Sequence, residues 1–167
     1  MIGDVTARRE LNITWRDPYA ALERGREIGG LEYMRSLLAG EFPPPPIAEL
    51  MDFTLISVDE GQAVFRGVPG EQHLNPIGSV HGGFAATLLD SALGCAVHTT
   101  LPAGVGYSTL ELAVNLVRGI TPATGPVLAE GNVVHAGRRT ATAEARLTAE
   151  DGGALLAHAK TTCLLLR

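Results

Sequence analysis

The sequence predicts an α+β domain in which an antiparallel sheet wraps around one long buried helix. Three observations lead there. Residues 82–100, GGFAATLLDSALGCAVHTT, have the small and aliphatic composition of a buried helix. Everything after Pro102 falls into strand-like segments, and turn signals join those segments as antiparallel hairpins. A chain of 167 residues can bury one substantial core but not two comfortable ones. With 46% apolar and 19% charged residues it belongs among ordinary globular proteins rather than disordered ones.

In chain order, residues 17–40 read as helical with an interruption at Gly29-Gly30. Leu31, Met34, Leu37 and Leu38 form an apolar stripe at helical spacing, and Gly40 is a stop. The run from Pro43 to Pro46 cannot be helix interior and reads as a stiff extended connector. The organisation expected is therefore a helical extension with its connector over residues 1–46 and a main domain over 47–167. Residues 53–69 give two short strands joined at the turn signal Asp59-Glu60-Gly61.

The long helix follows a loop. At about 100° per residue, Phe84, Ala85, Leu88, Leu89, Ala92, Leu93 and Ala96 share one broad face, and Thr87, Asp90, Ser91, Gly94 and His98 share the other. Residues 107–118 then alternate, with Leu110, Leu112, Val114 and Leu116 expected on one side. Further strands are expected at 127–135, at 140–148 and, after the turn Asp151-Gly152-Gly153, at 154–166. In the strand at 140–148, Ala141, Ala143, Ala145 and Leu147 alternate with Thr140, Thr142, Glu144 and Arg146.

Several function classes are excluded at this level. A net charge of −5 offers no clustered basic face for nucleic acid. No apolar run approaches the roughly 20 residues that cross a bilayer, so no membrane partner is expected. The first residues, MIGDVTARRELNITW, contain no apolar secretory core, so a cytoplasmic location is expected. Cys95 and Cys163 each lie in an apolar stretch and read as small core hydrophobes; no clustered Cys and His suggests a metal.

The informative segment is Asn75-Pro76-Ile77-Gly78-Ser79-Val80-His81-Gly82-Gly83 with the helix behind it. Gly82 and Gly83 open that helix. Free N–H groups and the positive end of the helix dipole there suit a developing anion, and glycine lets it come close. Asp90 supplies a carboxylate that could attack a carbonyl or activate water. It lies roughly 12 Å along the axis from Gly82, at about 1.5 Å per residue, too far for one helix to present both groups to one carbonyl. A site shared between two subunits removes the difficulty.

The stretch NPIGSVHGGFAATLLDSALGCAV resembles the HGG segment of hotdog-fold acyl-CoA thioesterases, particularly those of the phenylacetic-acid-degradation (PaaI) type. GYSTLELAVNLVRG and VVHAGRRTATAEARL look like the later strands of that family, so the resemblance runs from about residue 53 to 166. It implies hydrolysis of an acyl-CoA to free acid and CoA, with no cofactor and no metal. It also implies a homodimer, often paired into a tetramer, with sites at the subunit interface. By position, Asp90 would be the nucleophile or general base and Gly82 of the other subunit the oxyanion donor. Asn75 would position the thioester or water, Ser108 would hold the water from across the interface, and His81 would support the loop or the thioester. Gly83, Gly137, Arg138 and Arg139 would bind CoA, since guanidinium groups suit phosphate and Gly137 permits close approach. Gly94 stands where other branches carry Thr or Glu, so no such role is available here. Two other readings remain: a hotdog hydratase or dehydratase, disfavoured because no HFPG segment is present, and a non-catalytic acyl-CoA-binding module, disfavoured by the presence of Asp90. His98 and His158 lie outside the motif and read as structural.

Overall fold

The computed structural model describes residues 6–167. Helix α1 spans Pro18–Gly25, α2 Gly30–Leu38 and α3 Pro46–Leu50. Strands β1 (Phe53–Asp59) and β2 (Gln62–Gly67) form the first hairpin. The long helix α4 (Gly82–Thr99) follows, then β3 (Gly106–Leu116), β4 (Val127–Ala136), β5 (Thr140–Ala149) and β6 (Leu155–Leu166). The strands make one sheet in the order β1-β2-β4-β5-β6-β3, with every neighbouring pair antiparallel.

The apolar face of α4 drives the assembly. Phe84, Leu88, Leu89 and Leu93 are fully buried against Val127, Ala129, Leu147 and Ala157 of the sheet. The alternation predicted for β5 holds, with Ala141, Ala143, Ala145 and Leu147 buried. Small residues let α4 lie close to the sheet. At Gly131 the approach is so close that a Cβ would run into the Ala92 carbonyl.

Two local expectations change. The proline run is extended only as far as Pro45, because Pro46 starts α3 at a first-turn position where its missing N–H costs nothing. In β3 the pairing with β6 shifts register between Thr109 and Glu111. This bulge inverts the phase of the strand. Leu112 and Val114 pack on the core as expected, but Leu110 is 61% exposed. Upstream of the bulge, Tyr107 and Thr109 take the helix-facing positions.

Among the described residues the extension has no core separate from that of the domain. Met34 of α2 is 2% exposed and belongs to the same cluster as Phe84 and Leu88. The Gly30 N–H bonds to the Leu101 carbonyl at 2.9 Å, and a Cβ on Gly30 would strike the His98 carbonyl oxygen. That glycine allows the start of α2 to sit on the end of α4. No helix of the described residues is long and apolar enough to cross a membrane.

Candidate active site

The loop before α4 is built by its own side chains. Asn75 accepts from the N–H groups of Ile77 and Ser79, each at 3.1 Å, and donates through Nδ2 to Ser79 Oγ at 2.8 Å. This is the Asx geometry that favours Asn in turns. The Leu74–Val80 bridge closes the loop, and the His81 N–H bonds to the His73 carbonyl at 2.8 Å. Asn75 therefore has a definite job as the staple of this loop.

His81 is the N-cap of α4: its Nδ1 accepts from the Gly83 N–H at 2.9 Å. Of the two glycine amides that the sequence offers to an anion, that of Gly83 is thus already engaged. Gly82 is the one left, and Leu116 flanks it closely, since a Cβ on Gly82 would lie 2.7 Å from Leu116 Cδ1. With Nδ1 accepting, neutral His81 carries its proton on Nε2 and can still donate outward.

Asp90 lies partly exposed on the opposite face of α4 from the core, where Thr109 Oγ1 donates to its Oδ1 at 3.2 Å. Thr109 was not legible as a site residue. The bulge decides which strand hydroxyl meets the carboxylate, and bulges leave little trace in sequence. Ser108 is exposed and alternates away from α4. Asp90 and Gly82 belong to one unbroken helix. Their separation along it is therefore about 12 Å, and one protomer cannot present both groups to one carbonyl.

Further along the same stripe, one and two helical turns beyond Asp90, lie Gly94 and His98. A Cβ on Gly94 would meet the Tyr107 hydroxyl at 2.5 Å, so the phenol occupies the space that a larger residue there would fill. Burial holds the Tyr107 phenol well above its ordinary range, with the charge of Asp90 among the lesser causes. Burial, reinforced by Asp90, pushes the Cys95 thiol up to about 12. Burial alone lowers His98, keeping its imidazole neutral. Both cysteines are free, with Cys163 buried and Cys95 partly so.

Gly137, Arg138 and Arg139 form the β4–β5 turn, with both arginines exposed. Thr140 pairs with Leu164 and Leu164 with Ser108, while Ala141, Cys163 and Thr109 make the next row. The turn thus projects from the sheet at the level of the strand residues around Asp90, two strands away at about 4.8 Å each. Neither arginine is in an ion pair among the described residues. His158 lies on β6 opposite Asn115 and Arg146, away from these groups. Among the described residues no three His, Cys, Asp or Glu side chains gather as metal ligands would.

The comparisons agree with this architecture. The thioesterase superfamily model matches residues 77–156, which include the loop glycines, Asp90, strands β3, β4 and β5, and the first two residues of β6. A Halobacterium salinarum protein named for esterase activity is 42% identical over 78 residues, and the match covers 46% of this chain and 46% of that protein. The chain thus matches about half the length of that curated relative. A solved thioesterase-type, phenylacetic acid degradation-related protein of Ralstonia eutropha is 30% identical with a TM-score of 0.71, covering 79% of this chain and 98% of that one. A variant of the phenylacetic acid degradation protein PaaI from Thermus thermophilus is also 30% identical, with a TM-score of 0.65, covering 72% of this chain and 98% of that one. A Streptococcus mutans protein solved with acetyl CoA is 26% identical, with a TM-score of 0.62 over 69% of this chain and 89% of that one. The chain belongs to the thioesterase superfamily, with the hotdog fold and PaaI-like structural relatives. Thioester hydrolysis is the activity that this membership supports in general terms.

Proposed function

We propose that the protein hydrolyses an acyl-CoA thioester to a carboxylic acid and CoA, in a homodimer whose two sites each use both protomers. The observation that carries this reading is the pairing of an uncapped Gly82 N–H with an accessible Asp90 on the same helix, too far apart to act together in one protomer. The acetyl CoA bound to the Streptococcus mutans relative supports CoA as the thiol carrier.

In this reading the thioester oxygen points at the Gly82 amide of one subunit, and Asp90 of the other faces the carbonyl carbon. Asp90 takes a proton from water as the new C–O bond forms, or attacks directly to give an anhydride that water then opens. Negative charge developing on the oxygen is met by the N–H and by the helix dipole. Collapse breaks the C–S bond. In the water route the CoA sulfur leaves with the proton that Asp90 took. In the anhydride route it leaves as the thiolate and gains a proton from the water that later opens the anhydride. Thr109 orients the carboxylate and Asn75 holds the loop that aims Gly82, keeping one Nδ2 hydrogen for the thioester or water. Ser108, on the exposed edge strand, serves the site across the interface. His81 donates from Nε2 toward the substrate. Gly83 and Gly137 give CoA a close backbone approach, and Arg138 and Arg139 offer its phosphates a positive landing.

Edge strand β3, with Leu110 61% and Leu116 59% exposed, is the surface that a second protomer would cover. CoA release from an acyl-CoA panel by wild type and Asp90→Asn tests the proposal. A loss of about 100-fold or more in kcat in a folded variant is expected. Equal rates in the two proteins, or no turnover of any panel member, would defeat it.

A further inference from the structure

A cavity of about 790 Å³ lies between the extension and the domain, lined by α1, α2 and Pro43–Pro45 on one side and by α4 and β3 on the other. Its size falls within the range of small-molecule sites, and most of its wall is apolar. Two independent features connect it to the reacting carboxylate. Along α4, Asp90, Gly94 and His98 form one stripe at four-residue spacing, and His98 lines the cavity. Along β3, Thr109 bonds Asp90, and Tyr107, two residues earlier and so on the same face, lines the cavity. Between Asp90 and the cavity stands the Tyr107 phenol, packed against Gly94, so a group running from Asp90 toward the end of α4 would enter the space under the extension by passing this ring.

We infer that this cavity receives the apolar tail of a medium-length acyl group, so that residues 18–45 set the chain-length specificity of the enzyme. The inference rests on the hydrolase reading above and adds the substrate class. The entrance is walled by rings: Tyr107 stands 5.8 Å from His98, and His98 stands 5.5 Å edge-on to Tyr33. Tyr33 in turn stacks on Phe42 at 5.2 Å, which fixes the outer wall. Beyond the rings the lining turns aliphatic, with Ala21, Met34 and Leu37. The neutral imidazole of His98 suits such a wall, since no charge has to be desolvated by an incoming hydrocarbon. The path from Asp90 to His98 spans roughly 12 Å of helix axis, which suits an acyl group of roughly eight carbons and leaves acetyl short of the cavity.

The test compares acetyl-, hexanoyl- and octanoyl-CoA in wild type, Ala21→Phe and Leu22→Trp. Ala21 is buried on the cavity wall, and Leu22 lines it from a more exposed position, so the second variant remains informative if the first does not fold. In wild type, kcat/KM is expected to rise at least about tenfold from acetyl to octanoyl, well inside the roughly fourfold per methylene that full burial allows. In the filled variants the octanoyl-to-acetyl ratio is expected to fall by about tenfold, because the tail loses its space. A wild type that prefers acetyl-CoA, or a ratio unchanged within twofold in both variants, would overturn the inference while leaving Asp90-dependent hydrolysis intact. Should wild type turn over no thioester, the hydrolase reading fails, and titration calorimetry of octanoyl- against acetyl-CoA decides the cavity. At least tenfold tighter octanoyl binding, reduced in the filled variants, supports it; equal or absent binding overturns it.

Discussion

The two ends of α4 are fixed by different physics. Its N-terminal end is held by directional polar contacts: the His81 cap, the Asn75 staple and the strand-like bonds of residues 73–81. Its C-terminal end is held by packing, with α2 resting on Gly30 and rings filling the space from Phe42 to Tyr107. Hydrogen bonds fix an N–H vector to within tenths of an ångström, as an oxyanion donor requires. Apolar packing fixes a volume, which is what discrimination between acyl tails requires. The difference teaches that one helix can be fixed by directional bonds at its start and by packing at its end, an arrangement that would suit chemistry at the first and, on the proposed reading, specificity at the second.

Substitutions at the two ends should therefore differ in kind. The largest structural effect is expected from Gly30→Ala, whose Cβ meets a backbone oxygen that cannot rotate away. A net loss of about 2 kcal/mol is expected after the helix-propensity gain of alanine, or on the order of 6 °C in Tm at fixed protein concentration. Thermal unfolding measures it, and an unchanged Tm would mean that α2 is not seated on α4 as described. A smaller loss, about 1 kcal/mol, is expected from His81→Ala, which removes the cap and frees the Gly83 N–H. There kcat should change more than Tm, whereas Gly30→Ala should move Tm more than the kcat for a short acyl group. The reverse pattern would break the contrast between the ends.

The smallest effect concerns pH. Burial lowers the imidazole of His98 at one end and, also as the main cause, that of His73 at the other. A histidine with a depressed folded value binds protons more readily when unfolded. Its contribution is undiminished above the ordinary imidazole range and is lost as pH falls through that range toward the folded value. Wild-type Tm should accordingly drop on mild acidification, and the slope should be shallower in His98→Phe. Parallel slopes would show that His98 is solvated, and the cavity wall with it.

Much of this was legible in advance. The buried face of α4, the Ala alternation of β5 and the hairpin at Asp59-Glu60-Gly61 follow from local periodicity, which the final packing respects. The placement of Gly82 at the start of α4 and of Asp90 eight residues along it was also readable, because a helix start and an eight-residue offset are properties of the chain itself. His98 was another matter: read as structural, it turns out to line a cavity, because the extension that forms the other wall is 50 or more residues away in sequence.

What the sequence determined by itself is the set of elements, the buried face of the helix and the chemical groups along it, since these depend on residue type at short range. The tertiary structure decided which groups meet. Thr109 rather than Ser108 reaches Asp90 because a one-residue bulge inverts the phase of β3, and no local pattern announces it. Gly82 rather than Gly83 keeps its N–H because the His81 ring folds back on the helix. The cavity exists because α2 docks on the end of α4, through contacts between segments far apart in the chain whose energy appears only when both are in place.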